Sequence, residues 1–306
     1  MSNKTILKVM VVLSLCLAGN AFAVTTIWTG GGATTDWRDV GNWDNGIPDT
    51  TIDAVIGGAA STVDLTGGFN VGDSALTNFD QARSVTMGGG TLNMDREGSI
   101  AQVAGTGVLT QTGGTINMPA ARDWINMGAG GIYNMSGGTI QGHGWVILNN
   151  GAQMTISGTA SYLTTDPSLN HGVPMAALGL GSFVGDGHLT ISGSNAAMNV
   201  SPQSFVMQNL SSLTYEFDAG GIRAVTVTDN AALTGTLDLT GVTPSNGTYT
   251  LMTAGSITDN GFALAAGLDG WSMDIGADTL TVTLIPEPAT ITLLALSGFA
   301  IIRRKR

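Results

Sequence analysis

Three histidines and a scatter of carboxylates are the groups in this 306-residue chain that could move a proton or hold a metal. His143 stands between Gly142 and Gly144 in "TIQGHGWVIL", where an imidazole on an open turn could exchange protons with a bound substrate. Cleaving a glycosidic bond asks for more. One carboxylic acid must protonate the leaving oxygen while a second carboxylate, facing it, activates water. The acids here lie singly along the chain. Asp36, Asp39 and Asp44 come closest to a cluster, yet they lack the spacing of a calcium loop. His171 and His188 are 17 positions apart in no metal-ligand pattern and read as surface loop residues. Arg83, Arg96, Arg122 and Arg223 are equally isolated, and neither a Gly-x-Ser-x-Gly elbow nor a phosphate loop occurs. These residue types predict no metal, no cofactor and no catalysis, with His143 as a turn residue.

The Gly-His-Gly triplet resembles a motif of polygalacturonase-type glycosidases. That family also carries Asn-Thr-Asp and Asp-Asp motifs, and neither is present; between Val24 and Ile285 there is no lysine from which to build an Arg-x-Lys clamp. A polysaccharide hydrolase or lyase is therefore only the alternative reading. A second candidate contact with carbohydrate is the trio Trp28, Trp37 and Trp43 in "IWTGGGATTDWRDVGNWDNGIPDTTIDAVI", because flat indoles suit the CH-rich faces of sugars. The same segment resembles the Trp-rich openings of exported β-helical and autotransporter-like proteins. There such a unit precedes the coils, and a plug of this kind covers the open edge of a stack. Capping is the expected role of the three rings.

The elements that would carry these residues are legible in the spacing. Short runs of alternating β-branched residues are punctuated by Gly, Asn and Asp throughout, with 45 glycines in all, and no long helical periodicity lies between Val24 and Ile285. Three segments align without gaps: "SVTMGGGTLNM" from Ser84, "VLTQTGGTINM" from Val108 and "IYNMSGGTIQG" from Ile132. Their Gly-Gly-Thr triplets begin at Gly89, Gly113 and Gly137, a period of 24 residues both times. A looser copy, "MTISGTASYL" from Met154, follows 20 residues after the matching point, and "LTISGSNAAMNV" from Leu189 repeats its core 35 residues later. Twenty-four residues at ~3.3 Å rise make about three short strands with their turns, one coil of a parallel β-helix. The expected fold is all-β, a parallel β-helix (solenoid) of about 24-residue coils. A β-sandwich of hairpins with Gly-Gly turns is the alternative. In the solenoid, the Ile or Leu after each triplet points inward, and Asn93, Asn117 and Gln141 share one coil position as an amide ladder.

The divisions expected are residues 24–83 as a Trp-containing β cap, 84–210 as the repeats and 211–284 as a C-terminal β region. "LTGTLDLTGVTPSNGTYTLMTAGSITDNGF" resembles the last coils of autotransporter-like passenger domains, which implies a cap or continuation of the same stack.

Both ends of the chain carry addresses. Lys4 and Lys8, the apolar run Val11 to Ala18 and the small-x-small Ala21-Phe22-Ala23 describe a secretory signal over residues 1–23, cut by signal peptidase before Val24. The only cysteine, Cys16, falls inside it as an ordinary apolar residue, so the exported body has no thiol for a disulfide or a metal. That body holds twenty-one acids against five arginines, an excess of sixteen negative charges, which excludes nucleic acid as a partner.

At the other end stands "IPEPATITLLALSGFAIIRRKR", residues 285–306. Ala289 to Ile302 are 14 uncharged residues, roughly 21 Å as a helix against a hydrocarbon core of ~30 Å. Arg303, Arg304, Lys305 and Arg306 would hold the far end in the cytoplasm. The order Pro286-Glu287-Pro288, short apolar helix, basic end resembles the PEP-CTERM sorting signal of Gram-negative-type bacteria, with Ile285, Ala289 and Lys305 as slight departures. The resemblance implies transient residence in the inner membrane and processing near Pro-Glu-Pro by an exosortase-type transpeptidase. It also implies delivery to the cell surface or extracellular matrix, commonly beside exopolysaccharide in a biofilm.

Overall fold

A computed structural model of the chain describes residues 24–57, 62–65, 69–72, 80–94, 98–100, 106–118, 124–142, 145–164, 176–180, 187–200, 204–207 and 211–285. The fold is all-β, a parallel solenoid of about seven turns with coils of about 24 residues. Each coil lays down three strands, one on each of three faces. In one coil these are Ser84–Met87 on the first face, Thr91–Asn93 on the second and Gly98–Ile100 on the third. The next coil stacks on it in register, pairing Ser84 with Val108, Thr91 with Thr115, and Ile100 with Met127.

The Gly-Gly-Thr triplets form the corner between the first two faces. Gly90, Gly114 and Gly138, the second glycine of each triplet, have φ of +73, +72 and +77°. L-residues rarely adopt such angles, which is why the repeat keeps glycine there. The corners also stack tightly. A Cβ on Gly113 would lie 2.4 Å from the Gly88 carbonyl oxygen, and one on Gly138 would lie 2.5 Å from that of Gly114.

Past the corner, alternation decides which side chains enter the core. Leu92, Ile116 and Ile140 point inward and are buried, as expected, and Met94 and Met118 bury beside them. Asn93 and Asn117 point outward, and the Asn117 amide donates to the Asn93 side-chain oxygen at 3.1 Å. The ladder runs one rung further than the repeat suggested, since Asn93 donates to Asp64 at 2.7 Å. Gln141 occupies the next rung by register. Buried Gln111 is well partnered inside the stack: it accepts from the Tyr133 hydroxyl and donates to the carbonyls of Gly114 and Thr139, each at 3.2 Å. The buried Trp37 indole N–H, Asn199 side-chain oxygen and Ser211 hydroxyl, by contrast, have no hydrogen-bond partner among the described residues.

The stacking is continuous across the expected divisions. Strands Val24–Ile27 and Ile52–Ile56 pair in parallel and lead into Ser84–Met87; Ser212–Phe217 leads on to Thr236–Gly241. The looser copy joins with Ile132 opposite Gln153, a coil of 21 residues rather than 20. The 35-residue coil is confirmed by Met154 opposite Leu189, and it keeps the usual third-face strand, Ala176–Leu180, stacked between Trp145–Leu148 and Ser204–Met207.

The two ends are closed by different means. At the start, Trp43 packs edge to face against Trp28 and Trp37 at centroid distances of 5.1 and 4.8 Å, and Trp37 also meets Phe69 at 5.6 Å. At the finish, Thr279–Leu284 turns antiparallel, pairing with Gly247–Thr253 on one side and Trp271–Ile275 on the other. Among the described residues no helix is long and apolar enough to cross a membrane.

Candidate functional site

The three tryptophans, expected to cap the stack with carbohydrate contact as the other candidate role, are 3, 0 and 5% exposed. Their rings face one another and the first coil, so the candidate carbohydrate contact of Trp28, Trp37 and Trp43 has no open ring face behind it. The capping role fits their packing. Nearby carboxylates serve the same loop. Asp39 accepts from the backbone of Gly41 at 3.0 Å and of Thr34 at 3.1 Å, and these hydrogen bonds, Gly41's foremost, hold its pKa below the ordinary value. Asp44 takes the Ile27 amide at 2.7 Å, and Asp36 the Arg38 amide at 2.8 Å. Among the described residues no group of three His, Cys, Asp or Glu is placed to hold a metal ion.

The first face carries an unbroken ladder over six successive coils. Its inward residues, including Val85, Leu109, Met154, Leu189 and Leu213, belong to the core. Among its outward residues two adjacent columns stand beside a third (Thr112, Ser136, Ser157, Ser192, Glu216), with rungs about 4.8 Å apart as in any parallel ladder. One column is Thr86, Thr110, Asn134, Thr155, Thr190 and Thr214, joined rung to rung by strand register. The other is mixed: Ser84, Val108, Ile132, Gln153, His188 and Ser212. His188, expected on a loop, is instead a strand residue here, and its Nδ1 lies 2.7 Å from the Ser212 hydroxyl.

Where the columns begin, the face sinks into a hollow of about 320 Å³ bordered by Arg83, Ser84, Thr86, Thr106, Val108 and Thr110. Arg83 forms its charged rim. The guanidinium donates through Nε to Asp53 at 2.8 Å and makes a second, closer contact through its terminal nitrogen. Ser84 adds a 2.7 Å hydrogen bond to the same carboxylate. Partial burial works to raise the pKa of Asp53, but the Arg83 and Ser84 hydrogen bonds and the arginine's charge outweigh it, and the net shift is downward. Arg83 and Asp53 thus neutralise each other at the mouth of the hollow.

Such a surface can hold a hydroxyl-bearing ligand by many weak hydrogen bonds, and it offers no pair of facing carboxylates for hydrolysis. His143, His171, Arg96 and Arg122 lie outside the described residues, as do Ala21, Ala23, Pro286, Glu287, Pro288, Arg303, Arg304, Lys305 and Arg306. Val24 opens the first described strand and is half exposed. All of the column but Thr214 was readable in principle, as the outward residue three places before a glycine: Gly89, Gly113, Gly137, Gly158 and Gly193.

No protein-family model, no curated protein and no solved structure matches this chain.

Proposed function

We propose that the chain is an exported structural protein of the cell surface or extracellular matrix, sorted through its C-terminal tail and acting by shape and contact rather than by catalysis. The observation that carries this reading is the three-part sequence of the tail. Pro286-Glu287-Pro288, a short apolar run and four terminal basic residues follow directly on the strand that closes the solenoid, whose last described link is Ile285 N–H to the Gly270 carbonyl at 2.7 Å. A processing enzyme acting near Pro286 would cut after the last described strand, Thr279–Leu284. At the other end the first strand begins at Val24, so removing residues 1–23 would take nothing from the described fold.

On this reading the partners are signal peptidase, an exosortase-type transpeptidase, the inner membrane in passing and exopolysaccharide at the destination, in a Gram-negative-type bacterium. The acidic body suits an extracellular setting by keeping copies soluble and apart. Mass spectrometry of surface-extracted protein tests the sorting step. A C-terminus ending near Pro-Glu-Pro is expected; mature surface protein still bearing Arg303 to Arg306 would refute it. The competing reading, a polysaccharide hydrolase or lyase using His143, predicts new reducing ends or unsaturated products from polysaccharide and their loss in His143→Ala.

A further inference from the structure

We infer that the outward column Thr86, Thr110, Asn134, Thr155, Thr190 and Thr214 is a docking track for one neutral polysaccharide chain laid along the axis of the solenoid, with the hollow beside Arg83 as its entry. The matrix reading above says where such a glycan would be met. The track itself stands on the geometry of the first face.

Four observations converge on it. The five threonine hydroxyls make no side-chain hydrogen bond within the protein among the described residues, and a hydroxyl both donates and accepts, as a sugar hydroxyl does. On the second face the outward amides of Asn93 and Asn117 are engaged with each other and with Asp64. The hydroxyl column beside them, Thr62, Thr91, Thr115, Thr139 and Ser161, starts next to the Asp64 carboxylate and ends at Ala197. The charge pattern selects a neutral partner: no acid or cation stands in either column from Ser84 to Thr214, and Arg83 at the entry is tied to Asp53. The surrounding body, with sixteen excess negative charges, repels a polyanion.

The third observation is dimensional. The Thr86 column keeps threonine on five of its six rungs, so a one-dimensional polymer is matched along it more closely than along the mixed column beside it. That neighbour supplies Val108 and Ile132 side by side, an apolar floor for the CH face of a ring, then Gln153 and His188 for further hydrogen bonds. Finally, the hollow falls on the first rungs of both columns, bordered by Ser84, Thr86, Val108 and Thr110. Depth for a ring and a repeated line of donors and acceptors therefore coincide.

The test uses the full-length chain in mild detergent, with affinity gel electrophoresis and calorimetry against a soluble β-glucan, a soluble α-glucan and a uronic-acid polymer. Binding to a neutral glucan is expected, with little change when salt is raised, because no ion pairs form. The triple variant Thr110→Val, Thr155→Val, Thr190→Val keeps shape and strand propensity and should weaken binding by at least about tenfold, as loss of three ordinary hydrogen bonds implies. The matched variant Thr91→Val, Thr115→Val, Thr139→Val on the second face should bind as the parent does. Circular dichroism melting of both variants checks that each remains folded. Equal loss in the two variants, no loss in the first, preference for the uronic-acid polymer, or binding to neither glucan would overturn the track. A chain that binds glucan through these threonines yet never reaches the cell surface would support the track and remove the sorting reading.

Discussion

At the scale of single residues, backbone sterics and burial set what this chain tolerates. Gly138→Ala would place a Cβ 2.5 Å from the Gly114 carbonyl oxygen at a φ of +77°. It should lose at least about 2–3 kcal/mol of stability. Gly221, at φ +99° with nothing within 4 Å of where a Cβ would stand, has the backbone strain without the clash. Gly221→Ala should cost only about 1–2 kcal/mol. Urea midpoints of the two variants compare them, and equal losses would show that stacking at the corner is not what excludes a side chain. Acid supplies a second prediction. Asp39, Asp53 and Asp218 all have pKa values lowered in the fold, Asp218 chiefly by the Ser194 amide. A carboxyl with a depressed folded pKa contributes stability above its unfolded value near 3.9, and that contribution is lost as pH falls through the folded value. Melting temperature should therefore hold flat from neutral pH and drop below about pH 4. In Asp53→Asn the drop should be shallower.

At the scale of elements, the opening loop and the closing hairpin do the work that neighbouring coils do elsewhere. The 3₁₀ turn Val40–Asn42, capped by Asp39, brings Trp43 under Trp28 and against Trp37, and the Trp43 indole N–H donates to the Trp37 carbonyl at 2.8 Å. Trp37→Ala removes a fully buried ring and should cost about 3–5 kcal/mol. Asn117→Ala, which breaks one outward rung of the amide ladder, should cost no more than about 1.5 kcal/mol. If thermal or urea denaturation ranks them the other way, the ladder rather than the plug stabilises the stack. At the far end Phe217, Tyr249 and Trp271 cluster at centroid distances of 5.3 to 6.3 Å. This second aromatic seal binds the antiparallel hairpin to the last coils.

At the scale of the whole molecule, a parallel stack has the problem that each end strand invites another copy. Here the first strand's edge is occupied by its own loop: Asp44 takes the Ile27 amide, Ile27 gives its carbonyl to the Asp44 amide, and Asn45 donates to the Thr25 carbonyl at 3.3 Å. Val24 and Ile27 on that strand are nonetheless about half exposed. Asp44→Ala should free the edge and produce concentration-dependent end-to-end association, visible by light scattering, while the parent stays dispersed. Absence of association in that variant would mean that charge repulsion alone keeps copies apart.

The sequence alone determined the fold class, the coil length and the inward residues after each corner. A 24-residue period with glycine at a left-handed corner leaves few other ways to bury Leu92, Ile116 and Ile140 together. It also carried the tail's three-part order, which is local and needs no fold to be read. Register was beyond it where the repeat decays. The coil entering at Gln153 is one residue longer than its sequence match, and the strands before Ser84 and after residue 210 continue the ladders with little sequence likeness to the repeat. Backbone pairing does not require similar side chains, so the stack persists where the pattern fades. The tertiary structure alone decided the fate of the tryptophans and of the threonines. An indole's type permits either a sugar platform or a plug, and only closure of the first coil buries all three. A threonine before a corner says little by itself, and only the stacking of coils sets five of them in one line.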